Sequence, residues 1–314
     1  MTSALRRGLT AGYVRRFSGA LFAVLLFVAC YLIFVGTRAG QATDTLAMFA
    51  LSELNGAFAP WDQVLLREWY LFILVPLIAA AVIVALVRRR FALGARMLVM
   101  VVAATVTTQV LKHYLLSRPA LGITYYMTNS FPSGHTTTAG AAAVALVMVA
   151  ADRWREVATY LSALVLWLVA LAVIVARWHR PSDVFAAICV VAVFSLLLSP
   201  LELGGERGQR ALRRGRIVTF LAAIMVLVGI MMVAYCYFQL SADTPYFSAG
   251  SASSELRELA VSRHWLALFL AGGTVLALAG TCWVFIFEVA RAGMRTLKSS
   301  SAPPRSFAPK GFRA

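Results

Sequence analysis

Residues 158–201 read ATYLSALVLWLVALAVIVARWHRPSDVFAAICVVAVFSLLLSPL. Two apolar runs flank a short knot of arginine, histidine and aspartate, Arg177 to Asp183. A bilayer core of about 30 Å asks for about 20 apolar residues of helix, and in lipid the helix is what satisfies its own backbone amides. The stretch therefore predicts two antiparallel membrane helices, 158–176 and 183–201, joined by a turn that holds ionisable groups at the membrane edge. Working outward, comparable runs recur at about 17–36, 69–87, 91–116, 133–151, 217–239 and 264–290. The expected fold is all-α, a polytopic membrane bundle of about eight transmembrane helices.

Composition agrees with that solvent. The 314 residues are 61% hydrophobic and 13% charged, against roughly 45–50% and about 25% in ordinary soluble domains. The net charge of +16 would suit a nucleic-acid partner, but its distribution argues against one. With a cytoplasmic N-terminus, 21 of the 29 Lys and Arg fall in the inside segments, from Arg6, Arg7, Arg15 and Arg16 to the C-terminal tail. That is the positive-inside pattern. It places both termini in the cytoplasm of a cell-membrane protein and makes anionic headgroups the partner of the basic excess. No nucleic acid is expected.

The first apolar run, at about 20 residues, exceeds the core of a cleaved signal, so it reads as a retained helix. The four cysteines, Cys30, Cys189, Cys236 and Cys282, all fall within predicted membrane helices without C-x-x-C spacing and read as packing residues. Four outward loops follow, at about 37–68, 117–132, 177–182 and 240–263. Thr43–Leu54 has the spacing of a short helix lying on the membrane surface, either covering a site or capping the bundle. Ser254–Trp265 is a second short amphipathic candidate. Gly272, Gly273, Ala277 and Gly280 read as small residues for close helix packing. The expected organisation is a basic N-terminus (1–16), a six-helix core (17–201), a basic loop with two additional helices (202–290) and a basic, disordered tail (291–314). The sequence sets no oligomeric state.

Ionisable groups near membrane segments are costly and tend to serve function. They cluster in three outward places. Lys112, Arg118 and Pro119 end the third helix; Pro132, Ser133, Gly134 and His135 begin the fourth; Arg177, His179, Arg180 and Asp183 join the fifth and sixth. Lys112 is one of only three lysines, the other two lying in the tail, which favours a role over simple snorkelling. Lys112 and Arg118 supply positive charge, and a guanidinium fork matches phosphate oxygens. Ser133 is a candidate N-cap, leaving the Gly134 and His135 N–H groups at a helix start, where anions bind. Pro181 suits a first helical position, so Asp183 in the first turn can reach back to His179 and fix its tautomer. A helix-capping acid beside an interfacial histidine is the plainer alternative.

Together these residues resemble the type 2 phosphatidic acid phosphatase superfamily, lipid phosphatases related to vanadium haloperoxidases. The three ordered motifs read Lys112-His-Tyr-Leu-Leu-Ser-Arg118-Pro119, Pro132-Ser-Gly-His135 and His179-Arg-Pro-Ser-Asp183. The resemblance covers about 69–201, with the first helix completing a six-helix unit. Two positions depart from the pattern. Five residues rather than six separate Lys112 from Arg118, which would turn one group by about 100° on an unbroken helix, so a local unwinding is expected. The usual arginine six positions before the histidine is Val173 here, leaving Arg177 or Arg180 as the replacement, with Arg177 preferred and Arg180 directed to headgroups.

The resemblance implies that His179 attacks phosphorus, Asp183 orients it, and His135 protonates the leaving oxygen. Lys112, Arg118, Ser133, Gly134 and Arg177 would hold the phosphoryl oxygens, with no metal and no cofactor. His113 and His264 read as structural. The expected activity is extracytoplasmic hydrolysis of a lipid phosphate or pyrophosphate through a phosphohistidine. Phosphoryl transfer to an alcohol, or non-catalytic binding or transport of phospholipid, are the alternatives.

Overall fold

The computed structural model describes residues 3–53, 70–123, 129–199, 202–204, 206–244, 247, 252–292 and 294–296. Among the described residues ten α-helices carry the fold: α1 (Ser3–Cys30), α2 (Arg38–Ser52), α3 (Tyr70–Val87), α4 (Phe91–Val110), α5 (Gly134–Val149), α6 (Asp152–Val175), α7 (Pro181–Leu198), α8 (Glu206–Asp243), α9 (Ala252–Ser262) and α10 (His264–Ala292). A π-helical turn extends α1 over Tyr31–Val35, and another extends α4 over Leu111–Leu115. Two three-residue strands, β1 (Glu202–Gly204) and β2 (Met294–Thr296), pair in parallel.

Six helices among the described residues, rather than the eight expected, are long and apolar enough to cross a membrane: Gly12–Val35, Phe91–Leu115, Asp152–Val175, Pro181–Leu198, Arg214–Asp243 and His264–Arg291. The other two expected spans are the shorter apolar helices Phe72–Val87 and Gly134–Val149. The sixteen residues of α5 rise only about 24 Å, short of a hydrocarbon core of about 30 Å. α5 is an interior helix. Ala139 and Ala141 through Ala145 are buried on successive positions, and the helix packs against α3, α4, α6 and α7. Small side chains let it occupy that crowded place. The chain is thus a multi-pass membrane protein whose central helix is enclosed by its neighbours.

The helix expected on the membrane surface is also inside. α2 starts at Thr37, whose Oγ1 accepts the Gly40 N–H at 3.0 Å, and every residue from Ala39 to Phe49 is buried. The fold-back from α1 is close enough that a Cβ on Gly40 would sit 1.9 Å from the Ile33 carbonyl oxygen. α2 then packs on α6, α7, α8, α9 and α10. Its alanines and threonines suited burial as well as a surface position, and spacing alone did not separate the two. Residue 54, the rest of the first outward loop to 68, residues 124–128 of the second and the tail from 297 lie outside the described residues.

α9 forms where an amphipathic helix was expected and covers α2, with Arg257 stacked 5.0 Å from the Phe49 ring centroid. α8 and α10 form the most extensive helix pair. A Cβ on Gly229 would lie 2.5 Å from both Ala277 N and Gly273 O, and one on Gly280 would lie 2.5 Å from Ala222 O. The small residues of α10 thus serve close packing. All four cysteines are free thiols.

The helices connect two opposite ends. At one end Arg88, in the α3–α4 turn, donates to the Val149 carbonyl at the close of α5 (3.0 Å). Arg15 pairs with Glu288, and Arg214 with Glu156, at this same end. The other end gathers the Tyr31–Val35 turn and residues 111–119, 129–135 and 177–183.

Candidate active site

Each arm of the site is shaped by a helix terminus. α5 starts at Gly134, with Ser133 as N-cap accepting the Thr136 N–H at 3.3 Å. This places His135 in the first turn. α6 ends in a left-handed residue, Arg177 (φ 60°). The Arg177 N–H donates to Ile174 O (2.9 Å) and the Trp178 N–H to Val173 O (3.0 Å), the bonding of a Schellman helix end. The His179 N–H also reaches Val173 O, at 3.1 Å. α7 starts at Pro181, and Asp183 in its first turn accepts the Arg180 N–H at 3.0 Å. The third arm leaves α4 through its π-turn, after which Leu116 is extended (φ −114°, ψ 140°). That is the local unwinding expected from the shortened spacing between Lys112 and Arg118.

These arms bring the two histidines together edge-on, with ring centroids 5.6 Å apart and planes inclined by 62°. His135 Nδ1 lies 3.4 Å from His179 Nε2, and the His135 ring also rests on Trp178, with centroids 5.1 Å apart. On the other side of His179, Nδ1 is 3.6 Å from Asp183 Oδ2. Asp183 is fully buried and heavily bonded. It accepts from Arg118 Nη2 (3.1 Å) and Ser130 Oγ (2.6 Å) besides the Arg180 N–H. Its backbone carbonyl takes the Ser133 N–H at 2.9 Å, tying the start of α5 to the start of α7.

The cations divide into two groups. Arg118 and Arg180 are enclosed with Asp183. Arg118 uses Nη2, while its buried Nε and Nη1 have no hydrogen-bond partner. Arg180 is buried rather than turned to headgroups, with Nη1 3.3 Å from Ser130 Oγ and Nε unpartnered. Burial, and next the Arg118 charge, push the Arg180 guanidinium below its ordinary pKa. Lys112 sits on the π-turn, half-buried, and Asn129 Nδ2 bonds its carbonyl at 3.1 Å. Arg177 is apart from this group. Its Nε donates to Ser52 Oγ (2.7 Å), its Nη2 is 3.6 Å from Glu53, and it lies 5.6 Å from the Phe49 ring centroid. Arg180 is thus the arginine beside Ser130 and Asp183, and Arg177, which the sequence favoured, lies beside Ser52 and Glu53. Gly134 leaves open space at the helix start, where a Cβ would meet only Gln109 Nε2 at 3.5 Å. His113 is exposed and outside the cluster.

Three participants were missed in the sequence. Ser130 links Arg180 to Asp183 but belongs to no spaced motif. Ser182 and Asp44 form a second buried pair: Asp44 accepts the Ser182 N–H at 2.9 Å and its hydroxyl at 2.6 Å, and lies 3.9 Å from Arg118 Nη2. The available signal was compositional, since Asp44 is the first acidic residue in the chain and one of only 13 Asp and Glu.

A comparison with protein families matches residues 93–203 to the PAP2 superfamily. No curated protein and no solved structure matches the chain.

Proposed function

Given that residues 93–203 form a PAP2 superfamily domain in a multi-pass membrane protein, we propose that the chain hydrolyses a lipid phosphate or pyrophosphate at the extracytoplasmic face through a histidine nucleophile. The observation that carries this reading is the order Asp183, His179, His135 in space: a carboxylate on Nδ1 of one imidazole and a second imidazole facing its Nε2. Asp183 Oδ2, 3.6 Å from His179 Nδ1, favours the tautomer with its proton on Nδ1, which leaves the Nε2 lone pair for phosphorus. It forms a bond to phosphorus as the phosphorus–oxygen bond breaks, and His135 gives its proton to the departing oxygen. Water then attacks phosphorus, His135 takes its proton, and the nitrogen–phosphorus bond breaks to release phosphate. The rings part to admit the phosphoryl group.

Charge on the equatorial oxygens needs fixed donors in a dry site. Arg118 offers two unpartnered, buried N–H positions and Arg180 one. Lys112 adds its charge beside them. Ser133 Oγ accepts from the Thr136 N–H and hydroxyl, which leaves its own proton for a phosphoryl oxygen beside the Gly134 N–H. We assign the third cationic role to Arg180, and to Arg177 the shaping of the turn and a link to α2. An amphiphile whose tail stays in lipid is the substrate class that suits a site at one end of a membrane bundle.

The test is phosphate release by the purified full-length protein from a panel of lipid monophosphates and pyrophosphates. His135→Ala is expected to lower kcat by about 10²–10⁴-fold, and His179→Ala to abolish turnover. Equal release by wild type and both variants would exclude the histidine mechanism.

A further inference from the structure

Asp44 belongs to α2, outside the 93–203 domain, yet its carboxylate is 2% exposed and reaches the centre of the site. Both oxygens are committed to Ser182, one to its N–H and one to its hydroxyl, and Ser182 precedes Asp183 in the first turn of α7. The same carboxylate faces Arg118 Nη2 at 3.9 Å, while Asp183 holds that nitrogen at 3.1 Å. The Arg118 side chain is itself 2% exposed. Two carboxylates thus grip one end of the guanidinium and leave Nε and Nη1 without partners.

We infer that Asp44 is a positioning residue of the phosphate site, holding Arg118 so that its free donors face the phosphoryl group and fixing the α7 turn that presents Asp183 to His179. The inference rests on the phosphatase reading for its substrate and on the geometry for its mechanism. Without the Asp44 charge, Asp183 is the one carboxylate left to Arg118. The guanidinium then closes onto it as a two-pronged fork, which withdraws the free donors from phosphate and competes with His179 for Asp183. Asn at position 44 keeps an oxygen for the Ser182 N–H and an amide for its hydroxyl, so the helix start survives while the grip on Arg118 is lost.

The test is a double-mutant cycle on full-length protein in detergent with Asp44→Asn, Arg118→Ala and the double variant. Arg118→Lys replaces Arg118→Ala if the latter does not fold. Asp44→Asn is expected to lower kcat/KM by about tenfold in the wild-type background and by less than about twofold where Arg118 is already changed. The loss should include a rise in KM, whereas a smaller folded fraction lowers apparent kcat alone. Equal losses in both backgrounds, or an unchanged KM, overturn the inference. If wild type hydrolyses none of the lipid phosphates, the functional reading fails and inorganic phosphate becomes the probe. Phosphate stabilisation against thermal unfolding should then need about tenfold more phosphate in Asp44→Asn, with no such difference in the Arg118 background. Identical titrations overturn the positioning role, and no stabilisation of wild type by phosphate overturns both.

Discussion

Arg118 stands between two buried carboxylates, and Arg177 and Arg180, three residues apart, go to different places. Chemistry alone made the two arginines equivalent; the left-handed backbone at Arg177 separates them by turning one side chain toward Ser52 and the other toward Ser130. Arg180→Gln is therefore expected to lower kcat/KM by about 10²-fold, the scale of one lost transition-state donor. Arg177→Gln should stay within about threefold, and the reverse ranking in phosphate-release assays would contradict the assignment. The motif residues Lys112, Arg118, His135, His179 and Asp183 were legible because their types and spacing recur as a pattern. Asp44 and Ser130 were not, since each acts through a contact between segments distant in sequence. Asp44 also predicts a pH effect. Burial, opposed by Arg118 and reinforced by Asp183, raises its carboxyl to about 6, above the ordinary value of about 3.9. Between these values the folded state holds more protons than the unfolded state. The group's contribution to stability is thus greatest below about pH 4 and falls as pH rises to 6. Melting of wild type and Asp44→Asn in detergent should diverge in the variant's favour from pH 4 to pH 7, and a constant difference would contradict this.

At the scale of elements, helix ends do the positioning. The Ser133 cap, the Pro181 start and the Schellman end of α6 place His135, Asp183 and His179 respectively. The first two were legible, because Ser before Gly-His and Pro before Ser-Asp are helix-start signals. The third was hidden, since glycine is the usual residue at that left-handed position and arginine stands there. α2 was legible as a helix but not as a buried one: its depth depends on Gly40 passing against the Ile33 carbonyl, a contact that no periodicity records. The α8–α10 pair offers a direct check. Gly229→Ala puts a methyl 2.5 Å from the backbone of α10 and should cost about 1–3 kcal/mol. In Gly272→Ala the new methyl meets only Met232 Cε at 3.6 Å, and the change should stay within about 0.5 kcal/mol. Thermal unfolding of the two variants in detergent distinguishes them, and equal midpoints would contradict the packing account.

For the whole molecule, the arginines at the Arg88, Arg15 and Arg214 end oppose the histidine site at the other end. On the positive-inside rule, we propose that the site is on the outer face. An Ala120→Cys substitution should react with a membrane-impermeant thiol reagent on intact cells, and Arg89→Cys only after permeabilisation; the opposite pattern would invert the topology. Charge sorting was legible from the sequence, whereas the number of long spans was not. Apolarity marks a helix for a dry environment without saying whether lipid or neighbouring helices supply it, and α5 takes the second course. The central claim is that α4, α5 and the α6–α7 turn assemble one phosphoryl-transfer centre with His179 as nucleophile. Its most direct measurement is an alkaline quench of the protein turning over a lipid substrate labelled in its terminal phosphoryl group. Label is expected on wild type through a base-stable, acid-labile bond and not on His179→Ala; label retained by His179→Ala would exclude His179 as the nucleophile.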